Sequence, residues 1–226
     1  MRNRSIESGP SWIDFVRLAT EASAFMSIGT KSVLFGAHCF FLHPLFVARA
    51  WTRLYGFPRD WRLYLAFFVH DLGYAGKENI DGPEGEEHVH FGAAIMRRLC
   101  GREWEEFTRC HSRYWAKKTG RPYSRLCVAD KLAFVLTPLW LYIPMTGWTG
   151  ELAEYMEHAR FSLDDTRNLE PWEARCLQSR DEHSFLVGLR SYTNRWVEHH
   201  RDLAEDHWTI ARDWTRAEES KVEVLR

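Results

Sequence analysis

Apolar residues return at every third or fourth position through most of this chain, and few runs alternate with period two. That rhythm confines the fold to helices packed on helices, since a strand buries alternate residues whereas a helix buries one face. From Pro44 to Leu54, the residues Val47, Ala50, Trp51 and Leu54 make one face, closed by Gly56 and Pro58. Trp61 to Val69 is apolar at nearly every position, the pattern of a central helix buried on most sides. A glycine-rich, acidic loop follows with Gly73, Gly76, Gly82, Pro83 and Gly85. Further helices are expected over Glu86 to Leu99, Arg102 to Lys118, Ser124 to Thr137 and Glu151 to Arg160. A long last helix is expected from Phe185 to Trp214, striped by Phe185, Leu189, Tyr192, Trp196, Leu203, His207, Ile210 and Trp214. Such a stripe must pack on the domain or on a second subunit, so a homo-oligomer through this helix is an open expectation. The expected class is all-α. No repeat, linker or composition break divides the chain, which points to one domain over 1–226, with a motif core over 38–140 and a C-terminal extension over 150–226.

Charge removes some partners. With 30 Lys+Arg against 31 Asp+Glu, the net charge of −1 offers no global footprint for an extended nucleic acid. Phosphate affinity must then come from a local cluster. Cys39, Cys100, Cys110, Cys127 and Cys176 form no C-x-x-C pair, and Met1 to Pro10 lacks the apolar core of a secretory signal, so a reducing, cytoplasmic setting is expected. The uncharged stretch 132–150 contains Pro138 and Pro144, which suits a buried or interfacial segment better than a membrane span. Peripheral membrane contact through 132–150 stays open. Trp140, Tyr142, Met145 and Trp148 in that stretch are expected to pack, with a pocket wall as the other use.

The histidines separate by helix face. His43 precedes Val47, Ala50 and Trp51 by four, seven and eight residues, and His70 follows Leu63, Ala66 and Phe67 by seven, four and three. His88 precedes Gly92, Ile95, Met96 and Leu99 on one face, while His111 follows Trp104 and Phe107 by seven and four. Asp130 lies between Leu126 and the pair Ala133 and Phe134, and Asp71 adjoins His70. One inward histidine is explained by one hydrogen bond. An inward carboxylate needs a cation, and no Lys or Arg is expected on the same inward faces. A divalent metal held by imidazoles and carboxylates would satisfy all of these groups together. His199, His200 and His207 with Asp202 and Asp206 offer a second cluster, but the charged residues around them read as a solvated face. His90, two residues from His88, faces the other way on a helix.

The ordered set His43, His70-Asp71 within Val-His-Asp-Leu-Gly, His88 four residues before Gly92-Ala93, His111, and Asp130 within Ala-Asp-Lys-Leu resembles the HD-domain metal-dependent phosphohydrolase superfamily, from His43 to Leu136. The resemblance implies an HD-domain-like helical bundle in which His43, His70, Asp71 and Asp130 hold one divalent ion. His88 and His111 would hold a second ion or the substrate phosphate. One or two ions are implied, with Mn, Fe, Mg, Co, Ni and Zn all open. Many relatives place Lys directly after the Gly of His-Asp-x-Gly, whereas here Lys77 comes four residues after Gly73.

The implied chemistry is cleavage of a phosphomonoester or phosphodiester, nucleotides included, by metal-activated water. His70, Asp71, His88 and Lys77 are the expected catalytic residues, and Lys77, Lys118, Arg121 and Lys131 the expected substrate-binding cations. Lys118 lies seven residues after His111 and is favoured over Lys117. Of Glu78, Glu86 and Glu87, one could support the site as a base or an outer partner. Gly29-Thr30-Lys31-Ser32 resembles only the tail of a P-loop and lacks the strand that loop needs. The alternatives from other classes are an HD-type di-iron oxygenase using His88 and His111, and a catalytically silent binding or regulatory module.

Overall fold

The computed structural model describes residues 26–161 and 168–208, and among them there is no strand. Eleven helices occur among the described residues: α1 (Ile28–Phe35), α2 (His43–Tyr55), α3 (Trp61–Val69), α4 (Val89–Cys100), α5 (Arg102–Arg109), α6 (Arg113–Lys118), α7 (Arg125–Leu136), α8 (Leu139–Thr149), α9 (Glu151–Phe161), α10 (Pro171–Leu177) and α11 (Glu182–His200). The protein is all-α. Local chemistry sets several ends: Asp60 accepts the Arg62 N–H to open α3, and Asp181 accepts the Ser184 N–H at 2.8 Å to open α11. Gly56 closes α2 with a positive φ, as Gly101 does between α4 and α5.

The apolar faces meet in two main clusters. The larger joins Val47, Ala50, Phe67, Met96, Leu126, Ala129 and Trp196, so α3 lies against α2 and α4, with α7 and the end of α11 closing the core. The smaller joins Tyr142, Leu152, Met156, Leu177, Phe185 and Leu186 from α8 to α11. Helix α11 contributes Phe185 and Leu186 to one cluster and Trp196 and Val197 to the other, and thereby ties the C-terminal helices to the core that carries the histidines.

Three expectations change. The helix expected over Arg102 to Lys118 breaks at Cys110–Ser112, where the Ser112 hydroxyl accepts the Trp115 N–H at 3.1 Å and starts α6 afresh, so His111 sits in the break. The last helix stops at His200, not Trp214; the chain turns there so that the Asp206 carboxylate folds back to Arg113, and 209–214 lie outside the described residues. The second histidine cluster is not a solvated face throughout. His200 is buried and stacked on Trp196 with ring centres 4.8 Å apart, and the Asp206 side chain is wholly covered. By contrast, His207 is exposed. Among the described residues, no single helix is long and apolar enough to cross a membrane, and α7 and α8, which together would be, bend by 102°.

Candidate metal centre

Each ligand candidate is delivered by a helix end or a helix face. His43 is the first residue of α2, where Pro44 suits the opening turn, and His70 caps the C-terminus of α3. Asp71 follows at the start of a single 3-10 turn, Leu72–Tyr74. His88 ends a second 3-10 turn, Gly85–His88, just before α4. His111 occupies the α5–α6 break, and Asp130 lies midway along α7. Gly73 explains why the His-Asp pair is followed by a residue without a side chain: a Cβ there would lie 1.9 Å from the His88 carbonyl oxygen. The two 3-10 turns can approach only because that Cβ is missing.

All six residues come together. His43, His70, Asp71 and Asp130 offer ligand atoms within 4.8 Å of one another, and so do Asp71, His88 and His111. Asp71 belongs to both groups. Its Oδ2 lies 3.2 and 3.1 Å from the Nε2 atoms of His43 and His70, and its Oδ1 lies 3.3 and 3.6 Å from those of His111 and His88. Asp130 Oδ1 is 3.1 Å from His43 Nε2, and the two Nε2 atoms of His43 and His70 are 3.3 Å apart.

The outer nitrogens decide what the inner ones can do. The Nδ1 atoms of His70, His88 and His111 face the carbonyl oxygens of Phe67, Gly85 and Thr108 at 3.0, 2.6 and 2.5 Å. A carbonyl only accepts, so each Nδ1 carries a proton, and in the neutral ring each Nε2 presents a lone pair inward. His88 and His111 then turn lone pairs toward each other at 2.9 Å, which a cation between them relieves. Burial and the neighbouring His111 push the His88 pKa well below its ordinary value, so His88 itself does not supply that cation. Asp71 Oδ2 gives the matching signal: it is buried and, among the described residues, has no hydrogen-bond partner. Ion–nitrogen bonds of about 2.1 Å put neighbouring ligand atoms about 3.0–3.4 Å apart, and most of the separations here fall close to that, with His70 Nε2 to Asp130 Oδ1 the widest at 3.9 Å. The residues fit a divalent ion in each group.

The first group differs electrically from the second. Burial opposes the His70 imidazolium, but the charge of Asp71 and then hydrogen bonding to Asp130 outweigh it and lift its pKa to about 10. Burial likewise works against the two carboxylates. Even so, the charge of His70 holds Asp71 well below its usual range, and that of Lys131 does the same for Asp130. Burial opposes the His43 imidazolium too, but Asp130 and Asp71 raise its pKa, so the metal-free first group holds at least one proton at pH 7 that an entering ion must expel. A raised imidazole pKa means that competition persists until pH passes about 10, and the carboxylates add none of it above pH 6. Apparent affinity for a divalent ion should thus rise about tenfold or more per pH unit between pH 7 and 9. Competition against a chromophoric chelator across that range measures it, and a flat profile would contradict the proton count.

The structure corrects one inference about counter-ions. Lys131, adjacent to Asp130, places its Nζ 3.1 Å from Asp130 Oδ2, so one inward carboxylate does have a cation of its own helix. Lys77 stands beyond Gly76, half-buried, and makes no ion pair among the described residues. Burial, then the charges of Arg109, Lys77 and Lys118, lowers the His90 pKa, so both lysines lie within electrostatic reach of that ring. Lys118 lies over the rings of Tyr114 and Trp115, whereas Lys117 is taken up by Asp206 at 3.2 Å. Arg121 is not brought in: it pairs with Glu106 of α5 on the exposed side. Glu86 proves to be an outer partner, accepting the hydroxyl of Ser112 beside His111 at 3.0 Å.

No protein-family model, no curated protein and no solved structure matches the chain. The site must speak for itself. Sequence reasoning missed Tyr74, whose ring stacks on His88 at 3.9 Å, and the group of His38, Ser32 and Glu151. For Tyr74 a signal existed, an aromatic three residues after Asp71 in an otherwise polar loop.

Proposed function

We propose that the protein is a metal-dependent phosphohydrolase of the HD-domain type, acting on a small phosphomonoester or phosphodiester. The sharing of Asp71 between two ligand groups carries this reading, because one carboxylate with an oxygen toward each group suits paired ions that act on one phosphoryl centre. Bound there, divalent ions supply Lewis acidity and an activated water near neutral pH. The protein's own residues do the rest. His43, His70, Asp71 and Asp130 hold the first ion, and His88 and His111 join Asp71 for the second. Tyr74 restrains the His88 ring, and Lys131 offsets the Asp130 charge. Lys77 and Lys118 are the cations assigned to the non-bridging oxygens, Lys77 following the loop turn at Gly76 and Lys118 ending the helix that begins after His111. A reducing, cytoplasmic setting accords with five free cysteines.

The close pairing of His88 and His111 also supports a second reading, a di-iron centre that activates O₂. Purified protein loaded in turn with Mn, Fe, Co, Ni, Mg and Zn should release phosphate or alcohol from at least one member of a phosphoester and nucleotide panel, and a chelator should abolish the release. Iron retention with O₂ consumption and no phosphoester cleaved would establish the oxygenase instead. Metal uptake without either activity would leave a binding module.

A further inference from the structure

Glu151 opens α9 and is completely buried, yet among the described residues no Lys or Arg pairs with it. A buried carboxylate in that position needs donors. Its oxygens take the Ser32 hydroxyl at 2.6 Å, the Thr149 hydroxyl at 2.5 Å and the Ala37 N–H at 3.0 and 3.3 Å. The fit is close enough to dictate sequence, since a Cβ on Gly36 would sit 1.8 Å from Glu151 Oε2. Residues 114 and 119 positions away in the chain are therefore organised round one carboxylate.

Ser32 passes that organisation on. Its one hydroxyl proton goes to Glu151, so toward the Nδ1 of His38, 2.7 Å away, its oxygen can only accept. Nδ1 of His38 must carry the proton. In the neutral ring Nε2 is then left as an acceptor. The ring is pinned at 4.4 Å from that of Tyr74 and meets the ring of His43 edge-on at 5.8 Å. Tyr74 in turn stacks on His88, so His38 abuts a ligand residue of one metal group directly and of the other through one ring. It belongs to neither group; its Nδ1 also lies 3.5 Å from Glu151 Oε1, and its side chain is 15% exposed beside the 13% of Asp130, so both reach the accessible edge, or rim, of the cluster.

We propose that His38 determines specificity at this rim: its Nε2 accepts a hydrogen bond from a hydroxyl on the alcohol part of the phosphoester, with Ser32 and Glu151 as positioning residues. The inference rests on the phosphohydrolase assignment for what is bound. A site built around an acceptor favours a substrate that brings a donor over the same substrate without it.

Two matched pairs test this with the full-length, metal-loaded protein: glycerol 1-phosphate against propyl phosphate, and a ribonucleoside against a 2′-deoxyribonucleoside 5′-monophosphate. In at least one pair the hydroxylated member should be favoured in kcat/KM by about tenfold or more. H38A should bring that ratio to about one, S32A should lower it in the same direction, and S32T, which keeps the hydroxyl, should restore it. Long-range ¹H–¹⁵N NMR supplies a readout independent of turnover: His38 should be the Nδ1-protonated tautomer in the wild type and a mixture in S32A. Equal rates within both pairs, or an Nε2-protonated His38, would overturn the proposal while leaving phosphohydrolase activity standing. If no phosphoester is cleaved, the enzymatic assignment falls and the specificity role falls with it.

Discussion

Replacing Asp71 with alanine should empty both halves of the cluster at once. Each of its oxygens faces a different pair of imidazoles, so a single substitution removes the only negative ligand of the second group and one of two in the first. Loss of an outer partner alone weakens a metal site about 10- to 100-fold, and a shared ligand must cost more than that. Metal content measured after gel filtration should fall by more than about 100-fold in affinity terms, with the helical circular dichroism retained. The pattern across variants is the sharper observation. D130A should lose the first ion and H111A the second, each leaving the other bound, whereas H207A, altering an exposed residue, should leave both. If D71A and H111A removed the same amount of metal, the centre would hold one ion and Asp71 would not be a bridge.

The largest effect on stability should come from D206A. The covered Asp206 carboxylate receives Arg113 Nη2 at 2.6 Å and Lys117 Nζ at 3.2 Å, and Arg113 lies over the Trp196 ring, 4.6 Å from its centre. Removing the anion takes the shared carboxylate from the largely covered Arg113 and Lys117, which costs about 3 kcal/mol and lowers the melting temperature by roughly 10 °C in a domain of this size. Substituting Arg113 and Asp206 together by apolar residues should recover most of the loss. The pH dependence has a definite sign. Burial opposes ionisation, but Arg113 holds the Asp206 carboxyl well below its usual range, so its contribution is complete above the unfolded-state value of about 3.9 and is lost as pH falls further. Acidification from pH 5 to 2 should therefore destabilise the wild type more than D206N. Equal acid sensitivity in thermal melts would place the clamp elsewhere.

The six residues that converge were legible in the sequence because each sits where helical periodicity meets a polar exception: His43 and His70 on apolar stripes, Asp130 between Leu126 and Ala133. That logic worked for His111 for a partly wrong reason, since the expected helix breaks beside it and the turn, not a helix face, aims the ring. Periodicity failed where the partner is distant. Asp206 stands among charged neighbours and reads as solvated, yet Arg113, 93 positions earlier, draws it under cover. Glu151 reads as an ordinary acidic residue in the first turn of a helix, and nothing local reveals that Ser32 and Ala37 converge on it. Helix α1 went unread because its eight residues show little separation of polar and apolar faces.

The carbonyl partners of His70, His88 and His111 all lie three residues upstream of the ring they hold. Each imidazole therefore arrives already oriented by its own four-residue stretch, and no distant part of the fold is needed to aim it. The loops that join these stretches are then free to change in length without disturbing the donors, provided that Gly73 still lets the two 3-10 turns touch. Four-residue cassettes of this kind could be carried onto other helix ends, which makes the centre portable in a way that Glu151 and its long-range partners are not.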